Sequence, residues 1–293
     1  MHITHIPTTP DDVAAVLGEI EALHFRPHLL DPTADLTPVL PHTGGVPGNW
    51  INASSRRPAA ETGVTLYAHG GGFSRSNPRL EQLMAYRFSQ ATGRPVLAVD
   101  YKLAPAYPYP AALNDVVTAY RSLLDQGIPS SRIILAGESS GATLLLSALL
   151  LLKQAADPLP GAAVAVSPIT DLTLASPSIS TNDGKDILNH AVLDRIRTDY
   201  LAGADPGQAP QSPLHGDLHG LPPLQLSVGA QEVLFDDAHR FAQAASAAGV
   251  SIRLDIYDGM PHAFHATTLS VAATLLRHTT EWISQLPSRP CTR

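Results

Sequence analysis

Two short glycine segments, each directly after a β-like run, constrain this chain more than any other feature in it. His69-Gly70-Gly71-Gly72-Phe73 follows Val64-Thr65-Leu66-Tyr67-Ala68, and Gly137-Glu138-Ser139-Ser140-Gly141 follows Arg132-Ile133-Ile134-Leu135-Ala136. Both segments therefore belong at the carboxyl ends of strands, the edge at which open α/β sheets build their sites. Behind the second lies the run 142–150, with the length and leucine content of a buried helix. Strand, tight turn and helix in that order set Ser139 on a sharp bend with its hydroxyl projecting from the sheet edge. Gly137 and Gly141 suit the tightest points of such a bend, where a Cβ would collide with a neighbouring strand or helix. The positive N-terminal end of the helix would lie beside Ser139.

This pairing suits acyl transfer. A developing oxyanion needs preorganised N–H donors, and unencumbered glycine backbone approaches a substrate most closely. Gly71 and Gly72 offer such donors, and the N–H of Ser140, next after the nucleophile, completes the expected hole. A phosphate-binding loop is the competing reading of a glycine run after a strand. Against it, the lysine of G-x-x-x-x-G-K-[ST] and the G-x-G-x-x-G spacing are both absent.

A serine nucleophile requires a base and an acid that orients it. The strand-like run 223–229 ends in Ala230-Gln231-Glu232, and the strand-like run 251–257 ends in Asp258-Gly259-Met260-Pro261-His262. Glu232 and His262 thus occupy equivalent strand-end loops, in the order serine, acid, histidine. Asp236 and Asp237 compete with Glu232, but they fall where the next helix begins and suit its positive end. His265 competes with His262 and reads as part of the amphipathic C-terminal segment that continues through Leu269, Val271, Leu275 and Trp282. His69 reads as a brace for the glycine loop rather than a proton carrier.

With these residues in view, the chain resembles the bacterial branch of the hormone-sensitive lipase family of esterases, within the α/β-hydrolase fold. The resemblance runs from about Trp50 to the end. Besides the two glycine segments it is carried by Asp100-Tyr101-Lys102-Leu103-Ala104-Pro105, Pro110-Ala111-Ala112, Asp115, Ser167-Pro168, Thr170-Asp171-Leu172 and Gly259-Met260-Pro261-His262. Three departures stand out. The family's usual Ala-Pro-Glu is Ala104-Pro105-Ala106. The elbow reads Gly-Glu-Ser-Ser-Gly-Ala where Gly-Asp-Ser-Ala-Gly-Gly is common. The acid motif, often Asp-x-Leu-x-Asp, aligns as Glu232-Val233-Leu234-Phe235-Asp236.

The fold class implied is α/β: a mostly parallel central sheet flanked by helices, in one domain spanning 1–293, with a small helical cap. The cap elements are expected at about 1–45 and 176–214, including a helix-like run over 186–201. In the family the cap is a lid over the nucleophile, which brings Leu23, Phe25, Leu188 and Leu193 near Ser139. Phe25, Phe73, Arg75 and Leu188 are the candidate lining of the substrate pocket.

Composition agrees with a globular enzyme. The 293 residues are 44% hydrophobic and 15% charged, enough apolar chain for a large core. A net charge of -7, with three lysines among nineteen basic residues, offers nucleic acid no basic patch. No apolar run is long enough to insert in a membrane, and the start lacks the basic stretch and apolar core of a signal peptide. A cytoplasmic location is the expectation. Cys291 is the single cysteine, so no internal disulfide forms. His2/His5, His215/His219 and His262/His265 lack metal-site context, so neither metal nor cofactor is expected. The partners expected are a small-molecule ester substrate and, as one option, a second copy in a homodimer. The expected reaction is hydrolysis of short to medium acyl esters through an acyl-enzyme. The alternatives are a lactone or acetyl-group hydrolase, a transacylase, or a noncatalytic small-molecule receptor on the same fold.

Overall fold

The alternation of β-like and leucine-rich runs folds into one twisted sheet with helices on both faces. The structure is a computed structural model that describes residues 1–23, 35–39, 45–54 and 56–286. Among the described residues there are nine strands: β1 (His2–Ile6), β2 (Asp35–Val39), β3 (Gly48–Asn52), β4 (Val64–Ala68), β5 (Val96–Val99), β6 (Ile133–Glu138), β7 (Ala162–Val166), β8 (Leu224–Gly229) and β9 (Ile252–Tyr257). The helices are α1 (Pro10–Leu23), α2 (Pro78–Thr92), α3 (Ala111–Asp125), α4 (Ser140–Gln154), α5 (Ser178–Thr181), α6 (His190–Leu201), α7 (Phe235–Ala247) and α8 (Ser270–Gln285).

The sheet runs β1-β9-β8-β7-β6-β4-β5-β3-β2. Pairing is parallel from β1 through β5, and β3 pairs antiparallel with both β5 and β2. β4, β6, β7 and β8 are buried along their whole length, which is why β7 reads as a continuous apolar run rather than an alternating one, while Thr65 of β4 and Gln225 and Ser227 of β8 are polar residues buried with their strands. Successive side chains still go to opposite faces. Val64, Leu66 and Ala68 join α3, α4 and α7 in one core, and Tyr67 joins Met84 and Phe88 of α2 and Leu275 and Trp282 of α8 in the other. Burying each such Leu or Phe is worth about 1.5–3 kcal/mol.

Helix ends are set locally. Pro78 opens α2 with Asn77 Oδ1 accepting the Leu80 N–H, and Gly93 closes it at φ 64°. Asn189 caps α6 by accepting the Val192 N–H at 3.0 Å. The helix-like run expected over 186–201 therefore begins at His190, because a capping asparagine interrupts it.

The connections place the site. Parallel strands β4, β6, β7, β8 and β9 all end at the same edge, so their following loops converge there. The stretch 176–214 holds α5 and α6 and lies over that edge. Phe25 and Cys291 lie outside the described residues, as do residues 24–34 and 40–44 of the lead-in expected in the cap and the side chain of Leu23; the first residues of that lead-in, His2–Ile6, instead extend the main sheet by pairing with β9.

Candidate active site

Ser139 follows β6 and immediately precedes α4 in a sharply bent conformation, φ 53° and ψ -126°. Such a backbone costs a non-glycine residue about 1–3 kcal/mol. The surroundings hold it there. Its N–H donates to the Val166 carbonyl at 2.8 Å, and its carbonyl accepts from Thr143 N at 3.1 Å to start α4. Close approach of the elbow to β4 explains Gly141, where a Cβ would overlap the carbonyl oxygens of Ala68 and His69. The hydroxyl is thereby pinned at the sheet edge rather than free to sample rotations of the chain.

His262, in the loop after β9, meets this serine. Its Nε2 lies 3.1 Å from Ser139 Oγ, and its Nδ1 lies 2.8 Å from Glu232 Oε2. Glu232, in the loop after β8, is fully buried, and its Oε1 accepts from the Gly229 N–H at 2.6 Å and from Ser167 Oγ at 2.7 Å. Three donors on one carboxylate leave it a single orientation, with Oε2 turned to the imidazole. Burial pushes the Glu232 carboxyl above its ordinary value even though these hydrogen bonds oppose the rise. Burial alone would pull the His262 imidazole down, but the hydrogen bond and charge of Glu232 outweigh it, so its pKa sits above the ordinary 6.5.

The glycine loop faces this pair. Gly71, Gly72 and Phe73 are all at positive φ, 115°, 62° and 58°, and the Gly71 carbonyl accepts from Ser74 N at 3.2 Å and Arg75 N at 3.0 Å. His69 sits behind the loop. Its Nδ1–H donates to the Gly70 carbonyl at 2.6 Å, and its ring stacks on Tyr101 at 4.2 Å. Glu138 supplies a second brace: Oε1 accepts the Gly70 N–H at 2.9 Å and the Tyr67 hydroxyl at 2.6 Å. Burial raises the Glu138 carboxyl to about 7. Ser140 is the first residue of α4, so its N–H belongs to the set that a helix leaves without an internal partner.

A cavity of about 980 Å³ opens over Ser139. Gly71, Gly72, Arg75, Leu188 and His262 line it, together with Ala191, Val192, Arg195 and Ile196 of α6. Phe73, expected at the pocket wall, is elsewhere. Its ring is fully buried and stacks on Tyr200 of α6 at 3.8 Å, because the positive φ of the loop turns the side chain inward. Leu193 is likewise buried in the main core. Asp236 and Asp237 face away from His262: Asp236 Oδ2 accepts the Ser178 N–H at 2.7 Å, and Asp237 Oδ1 accepts those of Thr170 and Asp171 at 2.7 and 2.9 Å. His265 forms part of a 3-10 turn ahead of α8, its ring edge-on to His262 at 6.3 Å.

One residue has no counterpart among the sequence expectations. Asp186, between α5 and α6, accepts the backbone N–H of His262 at 2.7 Å through Oδ1 and that of Val233 at 2.8 Å through Oδ2. Nearby, Asn182 Nδ2 donates to the Glu232 carbonyl at 2.9 Å. The stretch 176–214 is thus tied to both loops that carry Glu232 and His262. Only the polar character of 182–186, in a stretch otherwise awaiting a helix, hinted at this.

Known proteins agree with this architecture. The profile of a family with the alpha/beta hydrolase fold matches residues 65–266. An acetyl-hydrolase of Streptomyces hygroscopicus is 44% identical over 211 residues, 71% of each chain. An esterase of Acinetobacter venetianus is 36% identical over 232 residues, 78% of this chain and 75% of that one. The crystal structure of an esterase from the bacterial hormone-sensitive lipase family superposes with a TM-score of 0.87 at 34% identity, covering 96% of this chain and 99% of that one. Sequence motifs, sheet order and superposition together make this chain a member of the bacterial hormone-sensitive lipase family of esterases, a carboxylic-ester hydrolase of the α/β-hydrolase fold.

Proposed function

We propose that this enzyme hydrolyses short to medium acyl esters by two-step acyl transfer, with Ser139 as nucleophile, His262 as base and Glu232 as the orienting acid. The hydrogen-bonded chain from Ser139 Oγ through His262 to Glu232, 3.1 and 2.8 Å long at its two links, is the observation that carries the reading. Ser139 Oγ attacks the ester carbonyl carbon as His262 Nε2 takes its proton. The carbonyl oxygen becomes an oxyanion received by the N–H groups of Gly71, Gly72 and Ser140. Collapse breaks the bond to the alcohol, which leaves with the proton from His262. Water then attacks the acyl-serine as His262 Nε2 takes its proton, and collapse breaks the acyl–Oγ bond, releasing the acid while Ser139 Oγ takes the proton back from His262. Glu232 holds the tautomer in which Nε2 is the acceptor and stabilises the imidazolium that forms.

The stretch 176–214 acts as the cap in this reading, and α6 bounds acyl length from above. An acetyl-group hydrolase is the second reading, favoured by the name of the Streptomyces relative. A series of p-nitrophenyl esters from acetate to dodecanoate, run beside lactones and with alcohol acceptors, separates the options. Highest kcat/KM at four to eight acyl carbons supports the proposal, and a sharp preference for acetate supports the second reading. Lactone turnover above every linear ester, or acyl transfer in place of hydrolysis, would replace both.

A further inference from the structure

Ser140, the donor next to the nucleophile, is the first residue of α4 and is held by that helix, whereas Gly71 and Gly72 lie in a loop at positive φ. An oxyanion hole shared between the two segments works only while they stay in register, because a donor that points away from the oxyanion contributes little. Gly70 is where they touch. A Cβ there would lie 3.2 Å from both the Glu138 carbonyl oxygen and Ser139 Cβ, so the loop rests directly on the elbow. Glycine has the widest choice of backbone conformation, and here both peptide planes that meet at Gly70 are held by side chains. Glu138 Oε1 accepts the Gly70 N–H at 2.9 Å, and His69 Nδ1–H donates to the Gly70 carbonyl at 2.6 Å. That carbonyl shares one planar peptide with the Gly71 N–H, so the two contacts together fix where the Gly71 N–H points. Glu138 is held in turn by the Tyr67 hydroxyl, which donates to the same oxygen at 2.6 Å among buried neighbours.

We propose that Glu138 is a positioning residue of the oxyanion hole: it clamps the glycine loop to the nucleophile elbow, so that the Gly71 and Ser140 N–H groups meet one oxygen. This rests on the acyl-transfer reading above. Glu138 is bonded to Ser139 and lies one hydrogen bond from Gly70, so any shift of the elbow carries the loop with it. The clamp acts through geometry more than through charge. A fixed negative charge favours the imidazolium of His262, whose pKa Glu138 helps to raise, and opposes the oxyanion that forms in the same step, so the two effects offset each other. What remains is the aim of the donors. That aim is felt in the transition state far more than in the bound ester, and its loss therefore falls on kcat rather than KM.

The test follows p-nitrophenyl butyrate hydrolysis at a pH well above 7, the region to which burial raises the Glu138 carboxyl, with rates expressed per site labelled to completion by a fluorophosphonate. Glu138→Ala should lower kcat about tenfold to a hundredfold and leave KM within about threefold. Butyl trifluoromethyl ketone, whose adduct with Ser139 carries the oxyanion, should bind that variant about tenfold or more weakly. Glu138→Gln keeps an acceptor oxygen of the same reach and should recover most of both losses. A merely structural role would lower the number of labelled sites and leave kcat per site and ketone affinity where they were; that result overturns the proposal, and so does a loss confined to KM. Should Glu138→Ala fail to fold, Tyr67→Phe decides, since it frees the Glu138 side chain while keeping its carboxylate. A fall in kcat of about threefold with a matching loss of ketone affinity is then expected, and no change in either overturns the clamp. Absence of both labelling and hydrolysis in the unaltered enzyme would instead overturn the acyl-transfer reading itself.

Discussion

The carboxylate of Asp186 accepts the backbone N–H of His262 at 2.7 Å, across 76 residues of sequence. Its second oxygen takes the Val233 N–H, so one side chain between α5 and α6 spans the loops that carry His262 and Glu232. Position and charge act together here, since Asp186 also helps to raise the imidazole. Asp186→Asn presents a donor to one of these N–H groups. We expect kcat to fall about ten- to a hundredfold with KM little changed, and the acid limb of the kcat profile to move to lower pH. A steady-state pH series checks both. Loss of stability alone would lower the active fraction and leave the limb where it was.

The Glu232–His262 pair makes the second prediction. The base must be neutral to accept the serine proton, and its pKa is raised above 6.5. Activity in the unaltered enzyme should therefore rise with pH through a midpoint above 6.5. Glu232→Gln removes the charge that raises His262, so the midpoint should fall while the plateau drops about a thousandfold or more through loss of the correct tautomer. Rate profiles of p-nitrophenyl butyrate hydrolysis, corrected for nitrophenol ionisation, measure both shifts.

Strain at Ser139 predicts a trade between stability and chemistry. Glycine adopts φ 53°, ψ -126° without the cost a side chain meets there. Ser139→Gly should be inactive yet melt about 2 °C or more higher, the equivalent of roughly 1 kcal/mol. Thermal denaturation of the two proteins side by side decides it.

Gly72 and Ile196 bring the glycine loop against α6. A Cβ at Gly72 would come within 2.9 Å of Ile196 Cδ1. Gly72→Ala should reduce kcat/KM about a hundredfold, and Ile196→Ala should restore part of that loss in the double variant. A coupling energy of about 1 kcal/mol or more in the cycle is expected, and strict additivity would mean that the loop and α6 act independently.

The parts legible in sequence are those with local signatures. β4 and the loop after it, β6 with its elbow, and the strand-end positions of Glu232 and His262 follow from short β-like runs that end at or next to glycines. Their ladders and layers then follow from strand order. Asp186 left no such trace, because its partners lie 47 and 76 residues away and a single aspartate near a helix start reads as a cap. Glu138 was hidden inside its own motif as the variable residue, although its carboxylate braces Gly70 and holds the Tyr67 hydroxyl. Phe73 was misplaced for a backbone reason: a positive φ at a non-glycine position sends the ring under the loop onto Tyr200. Nor did His2–Ile6 read as a strand, since only its last residue is buried and its pairing with β9 supplies most of the order.

The central claim is that Ser139 forms the acyl-enzyme, and intact-mass analysis after treatment with a fluorophosphonate tests it most directly. The account predicts one adduct, mapped to Ser139 by peptide sequencing, and neither adduct nor ester hydrolysis in a folded Ser139→Ala variant. An adduct on another residue, or hydrolysis retained by Ser139→Ala, would contradict it.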